Sequence, residues 1–66
     1  MKQYKISVLA YPNVENGSIG DCIETRHTTT LWGKTSFEAV SFVIRSLHSS
    51  NMFVRKVLFV KILQSN

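Results

Sequence analysis

TSFEAVSFVIRSLHS, residues 35–49, decides the fold, because no other stretch has a periodicity that names its own structure. Thr35 followed three residues later by Glu38 is a capping box: the hydroxyl accepts from the Glu38 amide while the carboxylate reaches back to the Thr35 amide. At about 100° per residue, Phe37, Val40, Val43, Ile44 and Leu47 fall on a stripe roughly 120° wide, the width a helix needs to lie on a sheet. Glu38, Ser41, Arg45 and His48 point away from that stripe. Phe42 breaks the pattern by projecting from the outer face, bordered by the small side chains of Ala39 and Ser46 and by Arg45 within one turn.

Outward from the helix the chain reads as strands. Lys2 to Ala10 alternates, with Tyr4, Ile6, Val8 and Ala10 on one face and Lys5, Ser7 and Leu9 on the other, continuing to Tyr11. Pro12 ends it, and PNVENGSIG is a loop rich in Asn, Gly and Ser, with Val14 and Ile19 placed to tuck back over the sheet. Asp21 to Trp32 is threonine-rich, which favours extended backbone. Its two faces are Ile23, Thr25, His27, Thr29, Leu31 and Cys22, Glu24, Arg26, Thr28, Thr30, Trp32. So polar a strand belongs at an edge. Gly33-Lys34 turns into the helix, Ser50-Asn51 stops it, and Phe53 to Leu63 is the third strand.

The element order is strand, strand, helix, strand. A helix joining the second strand to the third makes those two parallel, with a right-handed crossover. With the third strand beside the first, the expectation is one α+β domain over residues 1–66: a three-stranded antiparallel sheet of order 2-1-3, ββαβ, with one helix on one face. The core side is then Tyr4, Ile6, Val8, Ala10, Ile23, Leu31, Val54, Leu58, Val60 and Ile62.

Composition narrows the function. A chain of 66 residues buries only about 60% of the surface its unfolded form exposes, so a partner would help it. Hydrophobic content of 44% with 18% charge argues for a folded chain. The net charge is +4, and all four acids lie at or before Glu38, leaving Arg45, Arg55, Lys56 and Lys61 in a purely basic C-terminal part. One-signed charge suits an acidic partner, nucleic acid or protein. A lone Cys22 points to a reducing, cytoplasmic setting, and the short apolar run before Pro12 is neither a signal peptide nor a membrane span. No metal-ligand spacing, phosphate loop or paired carboxylates occur, so the expectation is no enzyme, no cofactor, no metal and no small-molecule substrate.

The sheet face away from the helix is where binding is expected. Strict alternation puts Lys5, Ser7, Leu9, Tyr11, Glu24, Arg26, Thr28, Thr30, Trp32, Phe53, Arg55, Val57, Phe59, Lys61 and Leu63 there. Leu9, Tyr11, Val57, Phe59 and Leu63 would form an apolar patch, and such patches mark contact sites. Two uses compete. In the first, a larger protein target, or a second copy in a homodimer, docks on Leu9, Tyr11, Arg55, Val57, Phe59 and Lys61, with Phe42 and Arg45 as an anchor on the helix. In the second, Lys5, Arg26, Arg55 and Lys61 hold phosphates of a nucleic acid whose bases stack on Tyr11 and Phe59.

KTSFEAV at 34–40 and VRKV at 54–57, in this order of elements, resemble small phage proteins that bind and inhibit host enzymes, inhibitors of bacterial RNA polymerase among them. The order is also similar to a small archaeal ribosomal protein, and the Gly33-x-Thr35-x-x-Glu38-Ala39 run to antitoxin domains of the HicB kind. The first resemblance implies a small non-catalytic inhibitor of a host protein; the second implies a role on RNA.

Overall fold

In the computed structural model, residues 1–12 and 24–65 are described. They form β1 (Lys2–Pro12), β2 (Thr25–Gly33), α1 (Ser36–Ser49) and β3 (Met52–Ser65). The sheet is three-stranded and antiparallel, in the order β2-β1-β3, with α1 between the second and third strands, so the fold is ββαβ and α+β. The expected loop at 13–20, with Val14 and Ile19, the start of the second strand at Asp21, Cys22 and Ile23 lie outside the described residues.

The helix begins where the capping signal places it. Thr35 has extended backbone and its hydroxyl accepts from the Glu38 amide at 3.1 Å, satisfying one of the orphan donors of the first turn. It stops as Asn51 enters the left-handed region at φ 64°. The Asn51 amide donates to the His48 carbonyl at 3.0 Å and the Ser50 amide to the Leu47 carbonyl at 3.0 Å. Asn is among the few residues other than Gly that visit this conformation readily.

The core lies between β1 and α1. Tyr4, Ile6, Val8, Ala39 and Val43 are buried together, with Leu31, Val40, Leu47 and Val54 packed against them. The helix face therefore differs from the expected stripe. Phe37, expected in the core, is 81% exposed, and Ile44 is 39% exposed. The buried stripe runs through Ala39, Val43, Leu47 and Val40, rotated by about 50° at 100° per residue. The reason is a contact between two small residues. A Cβ added to Gly33 would sit 3.4 Å from the Ala39 Cβ, so the helix starts close to the end of β2. That approach turns Ala39 down and lifts Phe37 out.

The two strand pairs differ in regularity. β1 and β2 match residue for residue from Lys2↔Gly33 to Ala10↔Thr25. β1 and β3 do not: the register shifts between Gln3 and Tyr4, between Ser7 and Val8, and between Leu9 and Ala10, leaving Leu63, Leu58 and Arg55 as the extra residues of β3. Each such bulge inverts the alternation beyond it. Val57 consequently pairs with Val8 and shares the helix side, contrary to its expected place on the open face. Lys56 moves the other way and pairs with Leu9.

Candidate functional site

The open face can be assembled row by row, because directly paired residues of an antiparallel sheet share a side. From β2 across β1 to β3 the rows are Arg26, Leu9 and Lys56; then Thr28, Ser7 and Phe59; then Thr30, Lys5 and Lys61; then Trp32, Gln3 and Gln64. Phe59, Lys61, Lys5, Arg26 and Leu9 are thus brought together as expected. Trp32 stands at the same face, and Lys56 joins it. Compared with strict alternation, the face exchanges the apolar Val57 for a lysine. It is more basic and less apolar than the sequence reading made it.

Ser7, at the centre, is fully buried between its row neighbours, and its hydroxyl pairs with that of Thr28 at 3.2 Å. A small hydroxyl here leaves the middle of the face flat. Phe59 and Trp32 are both exposed. They are four residues apart along the strands and two strands apart across, so their positions lie roughly 17 Å from each other. Between them stand Lys5 and Lys61, directly opposite one another. Among the described residues neither has an ion-pair partner, and like charges so placed repel.

One end of the face is closed electrostatically. Arg55 makes a two-pronged ion pair with Glu24: Nε donates to Oε2, and the second nitrogen, Nη2, donates to Oε1 at 2.9 Å. Hydrogen bonding from Arg55, together with its charge, lowers the Glu24 pKa below the ordinary glutamate value, against a smaller opposing effect of desolvation. The same hydrogen bond, with the negative charge of Glu24, raises that of Arg55. The pair straps β3 to the residue preceding β2. Arg55, expected as a free contact, is therefore engaged within the fold. Tyr11 is likewise occupied, its ring 6.0 Å from Phe53, which in turn lies 5.5 Å from the His48 imidazole.

Phe42 and Arg45 belong to a different surface. They line a shallow depression of about 300 Å³ with Ser46 and Ser49, and Phe42 is 56% exposed. This lies on the outer side of the helix, across the molecule from the open sheet face. The protein-binding residues read from the sequence thus divide between two opposite sides, which one flat partner does not touch at once. Sequence reasoning missed Lys56 for want of the bulges, yet a signal was present. Strict alternation would have put Lys56 under the helix beside Val54 and Leu58, and a bulge is the cheapest escape for a lysine.

His27 shares the helix side through its pairing with Val8, and its Nε2 lies 2.9 Å from the Thr25 hydroxyl. Among the described residues no helix is long and apolar enough to cross a membrane. Comparison with protein-family models, with curated proteins and with solved structures finds no match for this chain.

Proposed function

We propose that this chain is a non-catalytic binding module whose open sheet face takes a single-stranded nucleic acid. The observation that carries the reading is the pairing of Lys5 with Lys61 beside Phe59. Two lysines facing each other cost the free fold something, and a phosphate set between them turns that repulsion into two attractions. Arg26 and Lys56 flank the pair one row beyond Phe59, and the nearest acid on the face, Glu24, is neutralised by Arg55. Exposed aromatics at Phe59 and Trp32 give bases a surface to stack on whatever their identity.

The chain has a single tryptophan, so binding can be read directly from Trp32 fluorescence on titration with a homopolymeric oligonucleotide. Stacking quenches it. If about four phosphates are neutralised, the log-log salt slope is roughly −3, an affinity loss of about fifty-fold between 50 and 200 mM salt. A flat salt response, or polyglutamate binding as well as the oligonucleotide with no quenching difference, overturns the nucleic-acid reading in favour of an acidic protein surface.

A second reading has its own observation, the depression beside Phe42 and Arg45. A small inhibitor or adaptor of a larger protein, of the phage kind, would use such an aromatic-arginine pair as its anchor. Capture from a bacterial lysate tests it: a stoichiometric protein partner must survive nuclease and be lost on Phe42→Ala.

A further inference from the structure

We propose that the seam between the helix and the outer edge of β3 is filled by a second copy of this chain, paired antiparallel along β3 with Val60 on the two-fold axis. β3 has β1 on one side only. On its helix side Val57, Val60 and Ile62 are exposed, although their neighbours on β1, Val8, Ile6 and Tyr4, are buried. The cause is where the helix sits: α1 starts over β2, with Ala39 against Gly33 at the Lys2–Ser65 end of the sheet, and meets β3 only at its C-terminal end, where Ser49 leads into Met52 opposite Pro12. Phe37 and Ile44 lie on the flank of the helix turned away from Ala39, and so from β2. By the 100° spacing both therefore stand on the β3 side of the helix, and both are exposed there. These five side chains expose on the order of 450 Å² per copy.

An eleven-residue connection from β1 to β2 is too short to cover the Ile62 end of this seam. Eleven residues separate Pro12 from Glu24, which out and back extend at most roughly 20 Å. Ile62 pairs with Tyr4, eight residues and about 27 Å along β1 from Pro12. A second copy fits in three respects. Two such patches, with the strand edges between them, clear the roughly 1,000 Å² that a specific interface needs. The two-fold at Val60 sets Val60 against Val60, Ile62 against Leu58, and Phe59 against Lys61 of the second copy. Lys56 then meets Gln64, so no cation stands directly opposite another. The pairing also runs the two basic open faces into one continuous surface.

The proposal does not depend on what that surface binds, and salt separates the two. Each chain carries +4, so self-association strengthens as salt rises, whereas nucleic-acid binding weakens. Sedimentation of the full chain across a concentration series in about 0.5 M salt is expected to show a species of twice the 7.5 kDa of one chain. Ile62→Lys, at a position 54% exposed, is expected to abolish it while circular dichroism stays unchanged. In a Cys22→Ser background, Val60→Cys is expected to oxidise to a disulfide dimer, since facing Cα atoms are about 4.5–5.5 Å apart. Lys61→Cys, about 8 Å from its mate, is not. A chain that stays monomeric at every concentration, a dimer dissolved by Phe42→Ala but not by Ile62→Lys, or Lys61→Cys cross-linking as fast as Val60→Cys each overturns the proposal.

Discussion

The rotated helix makes a prediction about rank that hydrophobic size alone would get backwards. Consider Val43→Ala, Ile44→Ala and Phe37→Ala, three truncations on adjoining parts of one helix. Val43 is 3% exposed. It loses two buried methyl groups, about 1.6 kcal/mol of transfer free energy, plus a cavity term, because the sheet beneath does not collapse into the space. The better helix propensity of Ala returns roughly 0.5 kcal/mol, leaving a net cost near 2 kcal/mol. Ile44 loses three carbons, but with 39% exposure only about three-fifths of their burial is forfeited and no closed cavity forms; after propensity the cost is about 1 kcal/mol. Phe37, at 81% exposure, costs less than about 0.5 kcal/mol despite being the largest. Urea unfolding followed by circular dichroism, at a concentration low enough to keep the chain monomeric, resolves these steps. A chain this size has only about 3–10 kcal/mol in hand. If Phe37→Ala costs as much as Val43→Ala, the helix presents its sequence-expected stripe to the sheet and the Ala39–Gly33 contact does not set its rotation.

Glu24 contributes stability through its lowered pKa, which is present in full above the ordinary glutamate range near 4.3 and is lost progressively as pH falls through that range towards the lower folded value; urea midpoints between pH 7 and 2.5 should fall more steeply for the wild type than for Glu24→Gln. Asn51→Val places a branched side chain at φ 64° and should cost about 1–2 kcal/mol, while Asn51→Gly stays within a few tenths of the wild type, as read by thermal unfolding. Phe42→Ala should leave the urea midpoint nearly unmoved, Phe42 being on the outer side of the helix, while weakening any protein complex seated on the helix's outer side. Lys61→Glu should do the reverse of an ordinary damaging mutation: facing Lys5, it converts a repulsion into an attraction of about 0.2–1 kcal/mol and raises the melting temperature, yet it removes oligonucleotide binding. A destabilised Lys61→Glu that still binds would show that Lys5 and Lys61 do not form a phosphate site.

The parts of the fold legible in the sequence are those where one local signal decides. Thr35 and Glu38 fix the start of the helix, Asn51 its stop, and the clean alternation of Tyr4, Ile6, Val8 and Ala10 makes β1 the central strand. Two features were less legible for different reasons. The helix rotation is decided by Ala39 and Gly33, small residues that carry almost no weight in a hydrophobic pattern but control how closely two backbones approach. The faces of β3 are decided by bulges at Leu58 and Arg55, and VLFVKIL, apolar at nearly every position, gives no parity to count from. Only the Arg55-Lys56 pair betrays them, because neighbouring cations cannot both avoid the core on a regular strand.

Those same bulges build the candidate site. They bring Lys56 onto the open face, send Val57 to the helix side of the sheet, and leave Arg55 free to reach Glu24. The result is a face whose acids are accounted for and whose lysines, among the described residues, are not. For folding alone, an acid at 61, opposite Lys5, and an alternating β3 with a polar outer side would serve better. This chain has a lysine at 61 and exposes Val60 and Ile62 on one side of β3 and Phe59 on the other. Departures from local consistency concentrate where a protein meets something else. Here they fall on two surfaces of a single strand, the charged one we propose for a polyanion and the apolar edge we propose for a second copy.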